Sequence, residues 1–192
     1  MERACGLLAV VVTLGGVLGA TTIDPTFSWS TDALSDLGTR AGSAPVFNAS
    51  VILGGALGVV YANGLRRQAT TPLAHCTGFT FGLAMLGLMG VGLFPLGHPM
   101  HVPTAAGFFG LFTVAMLCDG IRRRDETTGK TTLGLVGLHL LVWATWILGL
   151  WPVPGLALPE IVGAALLVAW LVVSGSTPPI PWRRKQPNRN FH

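Results

Sequence analysis

A chain of 192 residues with 51% hydrophobic and 10% charged residues, and a mean hydropathy of +0.61, is too apolar to be a water-soluble domain of this size. Backbone polar groups cannot go unpaired in lipid and the alternation of barrel strands is absent, so the expected fold class is all-α, an integral membrane bundle in the lipid bilayer. The net charge of +4 does not gather into a basic patch on a soluble domain, which argues against nucleic acid as a partner.

In chain order, apolar runs of about 20 residues, enough to cross ~30 Å of hydrocarbon, predict six transmembrane helices. They fall at about 5–22, 46–65, 73–94, 102–121, 132–151 and 160–176, within one transmembrane domain over 1–177. The first follows Glu2-Arg3 and resembles a secretory signal, but its apolar run is long for one, so it is read as retained. With the N-terminus inside, eleven Lys and Arg residues fall on inner segments and only Arg40 on an outer one. The positive-inside rule then predicts three hairpins with both termini in the cytoplasm and a multi-pass protein of the cell membrane. Residues 178–192, with Trp182 and PWRRKQPNRN, read as a disordered basic tail lying on anionic lipid headgroups. Trp143, Trp146 and Trp151 approach the outer interface. Cys5, Cys76 and Cys118 all fall near the inner side and read as small core residues without a structural disulfide.

A weak internal repeat underlies the hairpins. Asn63-Gly-Leu-Arg-Arg67 returns as Asp119-Gly-Ile-Arg-Arg123, and Gly92-Leu-Phe-Pro95 returns as Gly149-Leu-Trp-Pro152. The same step relates Asn48, Thr104 and Glu160, each near the outer start of an even-numbered helix. Glycines three and four apart, including Gly54, Gly58, Gly78, Gly82, Gly107 and Gly110, predict close helix packing within one chain.

The outer turns carry the candidate chemistry. The central one, GLFPLGHPMHVPT over 92–104, holds His98 and His101. The first, over 23–45, is long and holds Asp24, Ser35, Asp32, Asp36 and Arg40; a loop of that length in so small a bundle is usually functional, and it is expected to cap the outer end. Ser35-Asp-Leu-Gly38, Val46-Phe-Asn48 and Gly92-Leu-Phe-Pro95 followed by His101 resemble the multi-pass membrane family catalogued as domain of unknown function 998. The resemblance spans roughly 4–174. It implies six helices and points to Ser35, Asp36, Asn48 and His101, but names no reaction.

Two chemistries suit these residues. His98 and His101, three apart, would offer two ligands to zinc or a similar divalent metal, with Asp36, Asp32 or Glu160 as a third. Without metal, His101 would be a general base oriented by Asp36, with Ser35 as nucleophile. Plainer readings stand beside these: interfacial histidines separated by Pro99, a local turn around Asp36, and Glu160 complementing the start of the sixth helix after Pro159. His139, inside the fifth helix, is expected to be neutral and bonded to a carbonyl or hydroxyl, with a relay role as the alternative. The first functional reading is therefore an outer-face acid–base or metal-assisted hydrolase or transferase acting on a lipid-like substrate. A non-catalytic membrane assembly protein and, behind it, a small-solute transporter are the alternatives.

Overall fold

A computed structural model of the chain describes residues 2–175. The expectations for the basic tail and Trp182 lie outside the described residues. Six helices run through the described part: α1 Glu2–Ile23, α2 Ala44–Gln68, α3 Pro72–Leu93, α4 His101–Arg122, α5 Thr127–Ile147 and α6 Ala157–Gly175. A one-turn 3-10 helix, η1, occupies Leu34–Gly38 in the first loop, and no strand occurs among the described residues. All six long helices are long and apolar enough to cross a membrane, which makes this a multi-pass membrane protein.

Local chemistry sets the boundaries. Pro72 stands at the first position of α3, where its missing N–H costs nothing, and the Thr71 hydroxyl accepts from the Ala74 N–H at 3.2 Å. The fifth helix begins at Thr127 and not near 132, because the polar run after Glu126 is already helical and solvated rather than a linker. It ends at Ile147, where Gly149 takes φ +69° and the N–H of Leu150 reaches back to the Thr145 carbonyl at 2.9 Å. His139 therefore sits at the middle of α5, deeper than its sequence position first suggests. The starts of α2, α4 and α6 at Ala44, His101 and Ala157 keep the step of the internal repeat.

Sequential helices pack as antiparallel neighbours, and α3 is the central one: 56% of its apolar window is buried, against 22–33% in the other five. Phe81 on α3 meets Tyr61, Phe112 and Trp170 at ring separations of 5.2–5.8 Å, so one aromatic cluster joins four helices. Lipid tails are as apolar as leucine, so such contacts hold the bundle by fit rather than by exclusion of water. The glycines show it: a Cβ at Gly55 would lie 2.8 Å from the Met85 carbonyl oxygen, and one at Gly87 3.0 Å from the Thr104 carbonyl oxygen. Gly107 and Gly110 depart from the expected pattern and face open space. Large apolar side chains such as Leu7, Val11, Leu86, Leu140 and Val172 are exposed, as a lipid-facing surface requires.

The other end of the bundle from η1, here called the arginine end, is tied by the Asp119-Gly-Ile-Arg-Arg123 segment of the internal repeat. Asp119, 3% exposed, receives Arg122 at 2.7 Å, Arg123 through Nε at 3.1 Å and through its NH2 group, and the Trp170 indole N–H at 2.9 Å. Ser174 completes the set at 3.2 Å, so α4 is tied to α6 by a buried carboxylate whose partners answer its charge. Nearby, Cys76 on α3 and Cys118 on α4 bring their sulfurs to 2.9 Å as free, partly buried thiols.

Glycine substitutions separate contact from composition. A Cβ at Gly129 would lie 1.9 Å from the Arg123 carbonyl oxygen, whereas one at Gly134 or Gly137 meets nothing within 4 Å. Gly129→Ala should lower the apparent unfolding temperature in detergent, at a cost of about 1–3 kcal/mol. Gly134→Ala should leave it unchanged or raise it, by up to ~1 kcal/mol.

Candidate functional site

The first loop is built to lie over the helix ends. Arg40 donates to Asp24 at 3.1 Å and to Asp32 at 2.8 Å, which closes residues 24–40 into a compact turn. Hydrogen bonds from the Thr26 hydroxyl and N–H, with Arg40 behind them, hold the Asp24 carboxyl below its ordinary range. The Ser28 N–H and then Arg40 do the same for Asp32, and the two acids in turn raise the Arg40 guanidinium. Asp32, a candidate metal ligand on sequence grounds, is thus a fastening of the loop.

The loop is then stitched across the molecule. Gly155 and Ala157 donate their N–H groups to the carbonyls of Ser30 and Asp32 at 2.9 and 2.8 Å. Glu160, in the first turn of α6, accepts the Leu34 N–H at 2.7 Å. Asp36 accepts the adjacent N–H, that of Ala33, at 2.7 Å. Two carboxylates therefore share the N-terminus of η1, where unpaired N–H groups favour negative charge. Asp36 thus closes a local turn, while Glu160 holds a segment 126 positions away, a contact that neither sequence reading of it contained. On the far side of η1, Asn48 donates to the Gly38 carbonyl at 3.0 Å, and the Ser43 hydroxyl to that of Leu37 at 2.9 Å. The Oδ1 of Asn48 is buried without a partner among the described residues.

The consequence is the position of Ser35. It lines a cleft of about 590 Å³, counted out to its open mouth, whose polar lining comes from Ser35, His101, Glu160 and Thr13. The rest of the wall is apolar, including Val17, Phe47, Leu88 and Phe108. Ser35 is 5% exposed and His101 4%. The Nδ1 of His101 lies 2.8 Å from the Phe94 carbonyl oxygen. A carbonyl only accepts, so Nδ1 carries a proton, and in the neutral ring the lone pair is on Nε2. Among the described residues nothing hydrogen-bonds to that Nε2 or to the Ser35 hydroxyl.

The structure separates the residues that a metal scheme requires. His98 is exposed, stacks on Phe94 at 4.9 Å and accepts the Met100 N–H at 3.1 Å, while His101 is buried in the first turn of α4. The Pro95–Met100 turn, with Gly97 at φ +96°, keeps the two from sharing one helical face. Asp36 is directed at Ala33, and no three His, Cys, Asp or Glu side chains among the described residues are grouped to hold a metal ion. The expected trio of His98, His101 and Asp36 is thus not brought together among the described residues. His101 is also oriented by the Phe94 carbonyl, where Asp36 was expected.

His139 is fully buried and satisfied. Trp143 donates its indole N–H to Nε2 at 2.9 Å, so Nδ1 bears the proton and donates to the Thr113 hydroxyl at 3.0 Å. This is the neutral, hydroxyl-bonded state, with neither ring nitrogen left for a relay.

A model of a protein family of unknown function, DUF998, matches residues 4–177. The chain belongs to that family. No curated protein and no solved structure matches it. DUF998 thus supplies kinship over nearly the whole chain and no reaction, so the chemistry has to be argued from the cleft.

The Arg40 clamp has a definite pH dependence. Asp24 and Asp32 have lowered carboxyl values in the folded loop, so their contribution to stability is full above the unfolded carboxylate range near pH 4 and is lost as pH falls through their folded values. Limited proteolysis within 24–40 should therefore be slow from pH 8 to about pH 4 and speed up below it. Arg40→Ala should make the same segment cleavable at neutral pH.

Proposed function

We propose that this DUF998 protein is an acid–base hydrolase or transferase that works on a lipid-like substrate at the outer face of the cell membrane. One observation carries the reading: Ser35 and His101, from elements far apart in sequence, line one largely apolar cleft with their reactive atoms unpaired. The outward orientation rests on the Lys and Arg distribution, which assigns the η1 end to the outside.

In this reading the Ser35 Oγ attacks an electrophilic carbonyl or phosphoryl centre, and the Oγ proton passes to His101 Nε2. The Phe94 carbonyl stabilises the resulting imidazolium through the Nδ1–H and keeps the ring aligned. His101 then protonates the leaving oxygen, and water or an alcohol, deprotonated by the same nitrogen, releases the group held on Ser35. Glu160 acts as a positioning residue: by accepting the Leu34 N–H it holds the first turn of η1, to which Ser35 belongs. The apolar walls exclude water from the acyl-bearing side and select substrates that already reside in the bilayer.

An alkyl fluorophosphonate tests this directly with the purified full chain. Labelling forms the Ser35 Oγ–P bond and expels fluoride, with His101 taking the proton. We expect labelling to vanish in Ser35→Ala and to slow by about 10²-fold or more in His101→Ala. Glu160→Gln, whose amide oxygen still accepts the Leu34 N–H, should label nearly as the parent does, and Glu160→Ala should not. Equal labelling of the parent and Ser35→Ala would overturn the assignment of the nucleophile, and an unchanged rate in His101→Ala that of the base.

A further inference from the structure

The cleft at η1 does not end at mid-depth. A second space of about 500 Å³, again counted to its mouth, lies towards the arginine end and has Thr13 as its only polar side chain. Thr13, Leu14, Leu88, Phe108 and Ala164 border both spaces, so the two meet end to end. Their shared walls come from α1, α3, α4 and α6, and of these α1 and α6 approach each other sparsely compared with every sequential pair of helices. Both helices are candidate spans, so the seam between them lies at the depth of lipid tails.

We infer that this continuous channel is the binding site for one linear hydrocarbon chain of the substrate, about a dozen carbons long. The inference deepens the reading under Proposed function, on which its account of the polar end rests. Three features select an acyl or alkyl chain over other occupants. The polar groups Ser35, His101 and Glu160 all lie at one end and the remainder is apolar except for Thr13 at the join, which is the polarity of an amphiphile standing in one leaflet. The seam opens sideways where lipid chains are the surrounding medium. The third feature is length. Along α6 the lining runs from Glu160 to Leu171 and along α4 from His101 to Phe112. At ~1.5 Å per residue both intervals span roughly 16 Å. An extended chain advances about 1.2 Å per bond, so that span takes about 12–14 carbons.

Glycine shapes the deep end of the channel. A Cβ at Gly58 would lie 2.3 Å from the Met85 sulfur, and one at Gly54 1.8 Å from the Thr13 hydroxyl oxygen, so larger residues there would force lining side chains into the space. On α6, Ala164 stands where the two spaces join, and Val168 lies one turn deeper. A bulky residue at either should plug the channel at a known depth.

The test uses the purified full chain in nanodiscs and a series of monoacylglycerols with chains of about 8 to about 18 carbons, read as ligand-induced thermal stabilisation. Stabilisation should peak near 12–14 carbons. Val168→Trp should move the optimum to shorter chains, and Ala164→Trp should flatten the profile. Ser35→Ala should leave the profile intact, since the chain site does not need the nucleophile. Stabilisation that rises steadily with chain length, or a profile unaltered in both tryptophan variants, would overturn the assignment. So would a dimer in the parent that Ala164→Trp dissociates without any chain-length response, which would give the seam to a helix of a second copy. A clear optimum together with unchanged fluorophosphonate labelling in Ser35→Ala would retain the chain site and reject the catalytic reading.

Discussion

The Leu34–Glu160 hydrogen bond is the contact on which the candidate site depends. A loop of some twenty residues is free to hang in solvent, and nothing in its own sequence obliges Ser35 to face inward. The carboxylate at the start of α6 supplies that obligation by taking an N–H that η1 would otherwise leave unpaired. Two backbone bonds from Gly155 and Ala157 run beside it, so the loop is held along an edge rather than at a point. The Arg40 clamp then makes the loop stiff enough for that edge to fix the whole segment.

The two ends of the bundle solve the same problem differently. At the arginine end a buried acid, Asp119, has its charge answered in full by two guanidiniums, an indole and a hydroxyl, and no lone pair is left for chemistry. At the η1 end the acids are occupied by backbone N–H groups, while a hydroxyl and an imidazole nitrogen stay unpaired beside an apolar space. The buried side-chain atom without a partner among the described residues is Asn48 Oδ1, so the free hydroxyl and imidazole nitrogen open onto the cleft and are not sealed in the packing. His139 makes the contrast within one residue type: it is as buried as His101, but Thr113 and Trp143 use both its nitrogens.

The histidine pair in the turn between α3 and α4 shows how spacing misleads. Residues three apart share a face only if the helix is continuous through both. Here α4 begins at His101, so His98 belongs to the turn before it. Pro95, Gly97 and Pro99 end one helix and redirect the chain before the next, and the imidazole that remains buried is the one held by the Phe94 carbonyl.

The six spans, the multi-pass class and the family were legible in the chain itself, because the length and apolarity of a membrane helix are properties of a contiguous run. The short motifs around Ser35, Asn48 and His101 were legible as places, since turn residues mark where helices stop. What the sequence could not hold was convergence. Glu160 reaches Leu34, Asp119 gathers Trp170 and Ser174, and Thr13 and Ala164 line the same two clefts only after the helices have packed, and no periodicity encodes distances between segments 51 to 126 or more residues apart. Side-chain roles followed suit: tertiary structure decided that Asp36 and Asp32 fasten the loop and that His98 stands apart, because a carboxylate or imidazole bonds to whichever partner the fold brings within about 3 Å.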